Sequence, residues 1–133
     1  MKFLVLGASG MAGHTISMYL QEQQHDVLGF DQKKVIHCES VVGDARDTAF
    51  LRKLITEGKF DSVINCIGIL NHFAEKNHEL AAFLNAYFPH FLASVTAGSD
   101  TQVIHMSTDC VFSGARGQYS EHDLRGRGTS RQE

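Results

Sequence analysis

No stretch of the sequence approaches the ~20 consecutive apolar residues that a bilayer-spanning helix needs, so no membrane partner is expected. Neither sign of charge is in excess. Twelve Lys and Arg stand against 15 Asp and Glu, and a formal net charge of −3 gives no electrostatic reason to expect a nucleic-acid partner. The cysteines Cys38, Cys66 and Cys110 are odd in number, widely spaced and contain no C-x-x-C pair. They read as small buried residues, not as a disulfide frame or a metal site. Eight histidines include no H-E-x-x-H or similar pair at ligand spacing, so no metal is expected, and His72 and His78 read as surface residues on a loop leading to a helix. Repeats and low-complexity tracts are absent, proline occurs only at Pro89, and no lysine follows Lys76.

What is present is ordinary for a single soluble domain with one core: 133 residues, 43% hydrophobic and 20% charged. The N-terminus enters a glycine loop too soon for a signal peptide, which makes the cytoplasm the expected location. That loop is the most informative segment. Leu4-Val5-Leu6-Gly7-Ala8-Ser9-Gly10-Met11-Ala12-Gly13 is an apolar strand running into glycines at G-x-x-G-x-x-G spacing. Gly7 allows a tight turn, Gly10 lets backbone approach a pyrophosphate, and Gly13 lets the next helix pack closely. The helix N-terminus then directs free N–H groups at the phosphates.

Beyond the loop the chain alternates short β-rich runs with helical periods. Strands are expected at Lys2–Leu6, 26–30, 40–42, 62–66 and 102–106. Helices are expected at 11–23, with Met11, Ile16 and Leu20 apolar, and at 47–57, with Phe50, Leu51, Leu54 and Ile55 buried and Gly58 as the stop. A long helical segment over 77–97 contains Pro89, which implies a kink or break. The run at 62–66 has the continuous apolar pattern of a parallel strand covered on both faces. This alternation predicts an α/β fold, a doubly wound parallel sheet in three α/β/α layers. In such sheets ligands bind outside the C-terminal strand ends. The glycine loop, Asp31, Asp44, Asn65-Cys66-Ile67-Gly68 and Ser107-Thr108-Asp109 all fall there.

At these residues the chain resembles the extended short-chain dehydrogenase/reductases, and within them the dTDP-4-dehydrorhamnose reductase branch. The resemblance rests on Gly7 to Gly13, Gly43-Asp44, Val63-Ile64-Asn65-Cys66-Ile67-Gly68, and the S-T-D-x-V-F-x-G run from Ser107 to Gly114. Tyr119-Ser120-Glu121-His122-Asp123 is similar to the family's Y-x-E-x-D stretch. The resemblance implies a Rossmann-type domain over 1–123, binding NAD or NADP, in a reductase of a nucleotide-linked 4-keto-deoxysugar. It implies that Gly7, Ser9, Gly10, Met11 and Gly13 take the pyrophosphate, and that Gly43 and Asp44 meet the adenine. Asn65, Cys66, Gly68 and Ser107 would line the nicotinamide half, and Asn85 would have a structural role. Asp31 stands where a carboxylate accepts hydrogen bonds from the adenosine ribose and disfavours a 2′-phosphate, although Lys33 and Lys34 could offset that repulsion. Asp44 also reads as a helix N-cap. Thr108 is the implied catalytic residue, its hydroxyl positioning the substrate carbonyl.

The sequence departs from the family in one respect. The Y-x-x-x-K pair that supplies the proton and binds the nicotinamide ribose is absent: Tyr119 is the last tyrosine, and Asp123 stands four residues beyond it. After Leu124 there is no apolar periodicity, so 124–133 reads as a disordered or aberrant tail, and its two Arg-Gly dipeptides make a poor RNA-binding segment. The chain is expected to be most of a cofactor domain, truncated before that pair and inactive or very weak alone. A non-catalytic dinucleotide-binding or regulatory module, and a nucleotide-sugar epimerase or dehydratase, remain as alternatives. A homodimer is expected, through the fifth strand as an uncapped edge and through a helix over 77–97 more apolar than one buried face requires.

Overall fold

The computed structural model describes residues 1–107, 112, 114–115 and 117–123. Five strands form one sheet: β1 (Lys2–Leu6), β2 (Asp26–Asp31), β3 (Glu39–Val42), β4 (Ser62–Asn65) and β5 (Gln102–His105). They lie in the order β3-β2-β1-β4-β5, and every neighbouring pair is parallel. Central β1 is covered on both faces, and Leu4, Val5 and Leu6 have no exposed surface. Leu4 and Leu6 pack into a cluster with Leu51, Ile55, Phe88 and Leu92, whereas Val5 joins Val27 and Val35, with Ile16 and Leu20 packed against them. Helix α1 (Met11–Glu22) thus covers one face, and α2 (Thr48–Gly58) and α5 (Phe88–Thr96) cover the other. The expected three-layer α/β/α sheet is borne out. Successive crossovers run to opposite sides of β1, which opens a crevice at the C-terminal ends of β1 and β4.

Several local expectations are corrected. Met11 is 92% exposed, so the inner face of α1 is formed by the small residues Gly13 and Ser17, together with Ile16 and Leu20. Asp47, not Asp44, caps α2, its Oδ1 accepting the Phe50 N–H at 3.0 Å. Nor is Gly58 the cap of this helix. Gly58 is the last residue of the helix, the left-handed C-cap is Lys59 with φ +48°, and a Cβ on Gly58 would lie 2.2 Å from the Phe60 ring. His72 lies within a short helix α3 (Asn71–Lys76) where a loop was expected.

Over 77–97 the chain forms α4 (His78–Ala82), a π-helical turn Phe83–Tyr87, and then α5. Asn77 caps α4 by accepting the Leu80 N–H. The Phe88 N–H reaches back to the Phe83 carbonyl, five residues away. This widened turn precedes Pro89, which has no N–H for the Asn85 carbonyl and whose ring crowds it in a regular α-helix. The apolar residues of this segment serve one face: Phe88, Phe91 and Leu92 are buried, while Leu80, Phe83 and Leu84 are half-buried. Tyr87 of the π-helical turn is 52% exposed, so part of the apolar surface of this segment stays open. The expected tail over 124–133 lies outside the described residues.

Candidate functional site

A cavity of about 400 Å³ opens at the C-terminal ends of β1, β2 and β4. Gly7, Ser9, Gly10, Asp31, Gly43, Asp44, Cys66 and Gly68 all line it, so eight of the sequence-predicted residues meet at one place. A second cavity of about 480 Å³ lies beyond β4 and β5, lined by Cys66, Ile67, Gly68, Asn85, His105 and Ser107 among others. Thr108, the expected catalytic residue, lies outside the described residues.

The glycine loop is shaped by close approach. Gly7 has φ +79°, a left-handed conformation, and its N–H donates to the Phe30 carbonyl at 2.8 Å, tying the end of β1 to β2. Gly13 does not line the cavity; a Cβ there would lie 2.1 Å from the Gly7 carbonyl oxygen, so the helix can approach the loop only as glycine. Gly43 likewise answers to packing, because a Cβ would lie 2.7 Å from the Phe30 ring. Met11, exposed at the start of α1, is not part of the lining.

Asp31 and Asp44 face the cavity in different states. Asp31 Oδ2 accepts the Ser9 N–H at 2.9 Å and Oδ1 accepts the Gln32 N–H at 2.8 Å. Its carboxylate therefore clasps the glycine loop to the end of β2, while each oxygen retains a lone pair for a further donor. Lys33 and Lys34 are exposed and line neither cavity. Asp44 is gripped by Arg46, whose Nη2 lies 2.6 Å from Oδ2 and whose Nε is 3.1 Å from both oxygens. Those side-chain hydrogen bonds, helped by the Arg46 N–H, hold the Asp44 carboxyl below the usual carboxylate range. Sequence reasoning missed Arg46. The signal was its position two residues after Asp44, within reach of a bidentate contact.

At the far end of the first cavity, Asn65 is fully buried and lines neither cavity. Direct contact with a ligand, as expected from sequence, is replaced by a role behind the wall. Its Oδ1 accepts the Ile67 N–H at 3.1 Å, and its Nδ2 lies 3.0 Å from His105 Nδ1. Asn85 holds the same loop from the other side, Oδ1 accepting the Ile69 N–H at 3.0 Å and Nδ2 donating to the Ile69 carbonyl at 2.7 Å. This is the structural role expected of it. Burial pushes the Cys66 thiol up from its ordinary range, which favours the neutral thiol where it lines both cavities.

The arrangement has the form of a nucleotide cradle: a glycine loop at a helix N-terminus, two carboxylates at neighbouring strand ends, and a thin backbone wall leading to a second cavity. The chain is similar to several known proteins. The probable low-salt glycan biosynthesis reductase Agl14 of Haloferax volcanii is 35% identical over 123 residues, which are 90% of this chain and 41% of that protein. The dTDP-4-dehydrorhamnose reductase of Mycolicibacterium smegmatis is 31% identical over 112 residues, 84% of this chain and 31% of that one. A crystal structure of a hypothetical dTDP-4-dehydrorhamnose reductase from Sulfolobus tokodaii superposes with a TM-score of 0.82 at 27% identity, covering 95% of this chain and 46% of that chain. The chain thus spans less than half the length of each of these relatives. The family described as RmlD substrate binding domain matches residues 1–127, and it is to this family that the chain belongs.

Proposed function

We propose that the chain is the dinucleotide-binding part of an NAD(P)-dependent reductase acting on a nucleotide-linked 4-keto-deoxysugar. The observation that carries this is the convergence of the glycine loop, Asp31 and Asp44 on one cavity at the crevice of a parallel sheet. The Ser9 and Gly10 backbone and the N-terminus of α1, at Met11, receive the pyrophosphate, with Gly7 and Gly13 shaping the loop. Asp31 accepts the adenosine ribose hydroxyls through its remaining lone pairs, which favours NAD over NADP. Gly43 and Asp44 bound the adenine. Cys66, Gly68 and Ser107 line the nicotinamide end, supported by Asn65, and Thr108 orients the substrate carbonyl. A bound nicotinamide supplies the hydride.

A second reading is a non-catalytic dinucleotide-binding module, which uses the same cavity and turns nothing over. Calorimetric titration with NADH and NADPH tests the shared part of both readings: NADH binds, NADPH binds more weakly, and Gly10→Val abolishes both. No heat for either coenzyme at millimolar ligand refutes it. The two readings part on turnover. NADH oxidation with dTDP-4-dehydrorhamnose at about 1 s⁻¹ or more, the low end of ordinary turnover, shows that the chain is a competent reductase by itself.

A further inference from the structure

Cys66, Ile67 and Gly68 line both cavities and form the wall between them. Asn65, the last residue of β4, holds that wall from behind. Because its Oδ1 is taken by the Ile67 N–H, the direction of the amide is fixed, and the Nδ2 is the atom that faces His105 Nδ1 at 3.0 Å. An amide nitrogen only donates, so Nδ1 must accept, and the imidazole is neutral with its proton on Nε2. Asn65 and His105 are register partners across β4 and β5, and the next backbone bond, Met106 N–H to the Asn65 carbonyl at 3.0 Å, joins the same strand ends. His105 itself lines the second cavity. Among the described residues this bond is the one side-chain link from β5 to the wall, and its loss leaves the Nδ2 of a fully buried amide without an acceptor.

We propose that His105 is a positioning residue for the dinucleotide site: as the Nε2–H tautomer it locks the Asn65 amide, which holds Ile67 and the wall between the two cavities. The consequence for ligand binding rests on the reading of those cavities given above; the lock itself does not. The tautomer is read by ¹⁵N NMR on the full, unsubstituted chain, with a neutral ring protonated at Nε2 expected. Two substitutions then separate the hydrogen bond from the bulk of the ring. His105→Phe keeps the ring volume without an acceptor, and His105→Asn places an amide oxygen near the position of Nδ1. Exchange of the Ile67 amide hydrogen should accelerate about tenfold in His105→Phe and return toward the parent rate in His105→Asn, as expected for an unsatisfied buried donor and its repair. NADH affinity should follow the same order. A ring protonated at Nδ1, or Ile67 exchange unchanged in His105→Phe, overturns the lock. Faster exchange with NADH affinity unchanged overturns the positioning role. Absence of NADH binding by the parent chain refutes the dinucleotide reading instead, while tautomer and exchange still decide the lock. Since the tautomer needs no substitution, a variant that failed to fold would not shelter the proposal.

Discussion

Asp31 and Asp44 stand at neighbouring strand ends and are equally visible in sequence, yet their hydrogen bonds differ. Asp31 serves the backbone of the glycine loop, whereas Asp44 is held by a guanidinium two residues away. Position after a strand was legible for both. The partner was not, because a bidentate contact depends on a turn whose geometry a motif does not encode. His37 makes the same point for burial. Its imidazole, 4.4 Å from that of His14 between ring centroids, has a buried Nε2 without a hydrogen-bond partner among the described residues. Burial first, and then the neighbouring His14, lower its pKa from the ordinary value of 6.5. The sign follows from linkage. The folded chain favours the neutral ring, so this contribution is present above the unfolded value and is lost as pH falls through the lowered folded value. Urea denaturation at about pH 7.5 and about pH 5.5, above and below the ordinary imidazole value, should show the parent losing more stability on acidification than His37→Gln. Equal losses would refute the assignment.

At the level of elements, the strands and the first two helices were readable because hydrophobic periodicity and flanking turns agree there. Gly58 and the 77–97 segment were not, for reasons that are tertiary. A glycine near a helix end looks like a stop, but here it makes room for the Phe60 ring, itself almost fully buried. Two effects of opposite sign act in Gly58→Ala. Helix propensity alone would favour alanine by about 1 kcal/mol. Overpacking against a buried ring costs about 1–3 kcal/mol, and with a contact at 2.2 Å the ring must shift. Net destabilisation is expected in a thermal or urea melt, and a stabilised variant would show that the Phe60 ring yields and helix propensity decides. Pro89 implies a kink or break from sequence, and the chain meets it by widening one turn. That turn carries Asn85, whose amide clasps Ile69. Asn85→Leu removes both bonds and should cost about 1 kcal/mol, with faster exchange of the Ile69 amide hydrogen and weaker NADH binding. Unchanged exchange at Ile69 would show that the clasp does not hold the loop.

At the scale of the molecule, the topology that gathers the site places β5 at the outer edge of the sheet among the described residues. Among the described residues β5 pairs with β4 alone, and Ile104 and Met106 are 41% and 48% exposed. These two side chains share one face of the strand, while Val103 packs inward against the core. The sequence pointed to dimerisation by two features, this edge and the apolar 77–97 segment, and the edge is the one that a single side chain tests. An unpaired strand bearing apolar side chains is a template for a second copy. Two copies related by a two-fold axis would pair β5 with β5 antiparallel and bury the Ile104 and Met106 faces together, a self-complementary contact that closes without further growth. The 133-residue chain is therefore expected to elute at micromolar concentration as a dimer, with a light-scattering mass twice its 14.7 kDa. Ile104→Lys places a charge in that contact, one of the devices by which natural edge strands resist pairing, and should return the chain to a monomer without loss of its circular-dichroism spectrum. A parent protein that is monomeric under the same conditions would exclude the edge as an interface, and a dimer unaffected by Ile104→Lys would place the contact elsewhere.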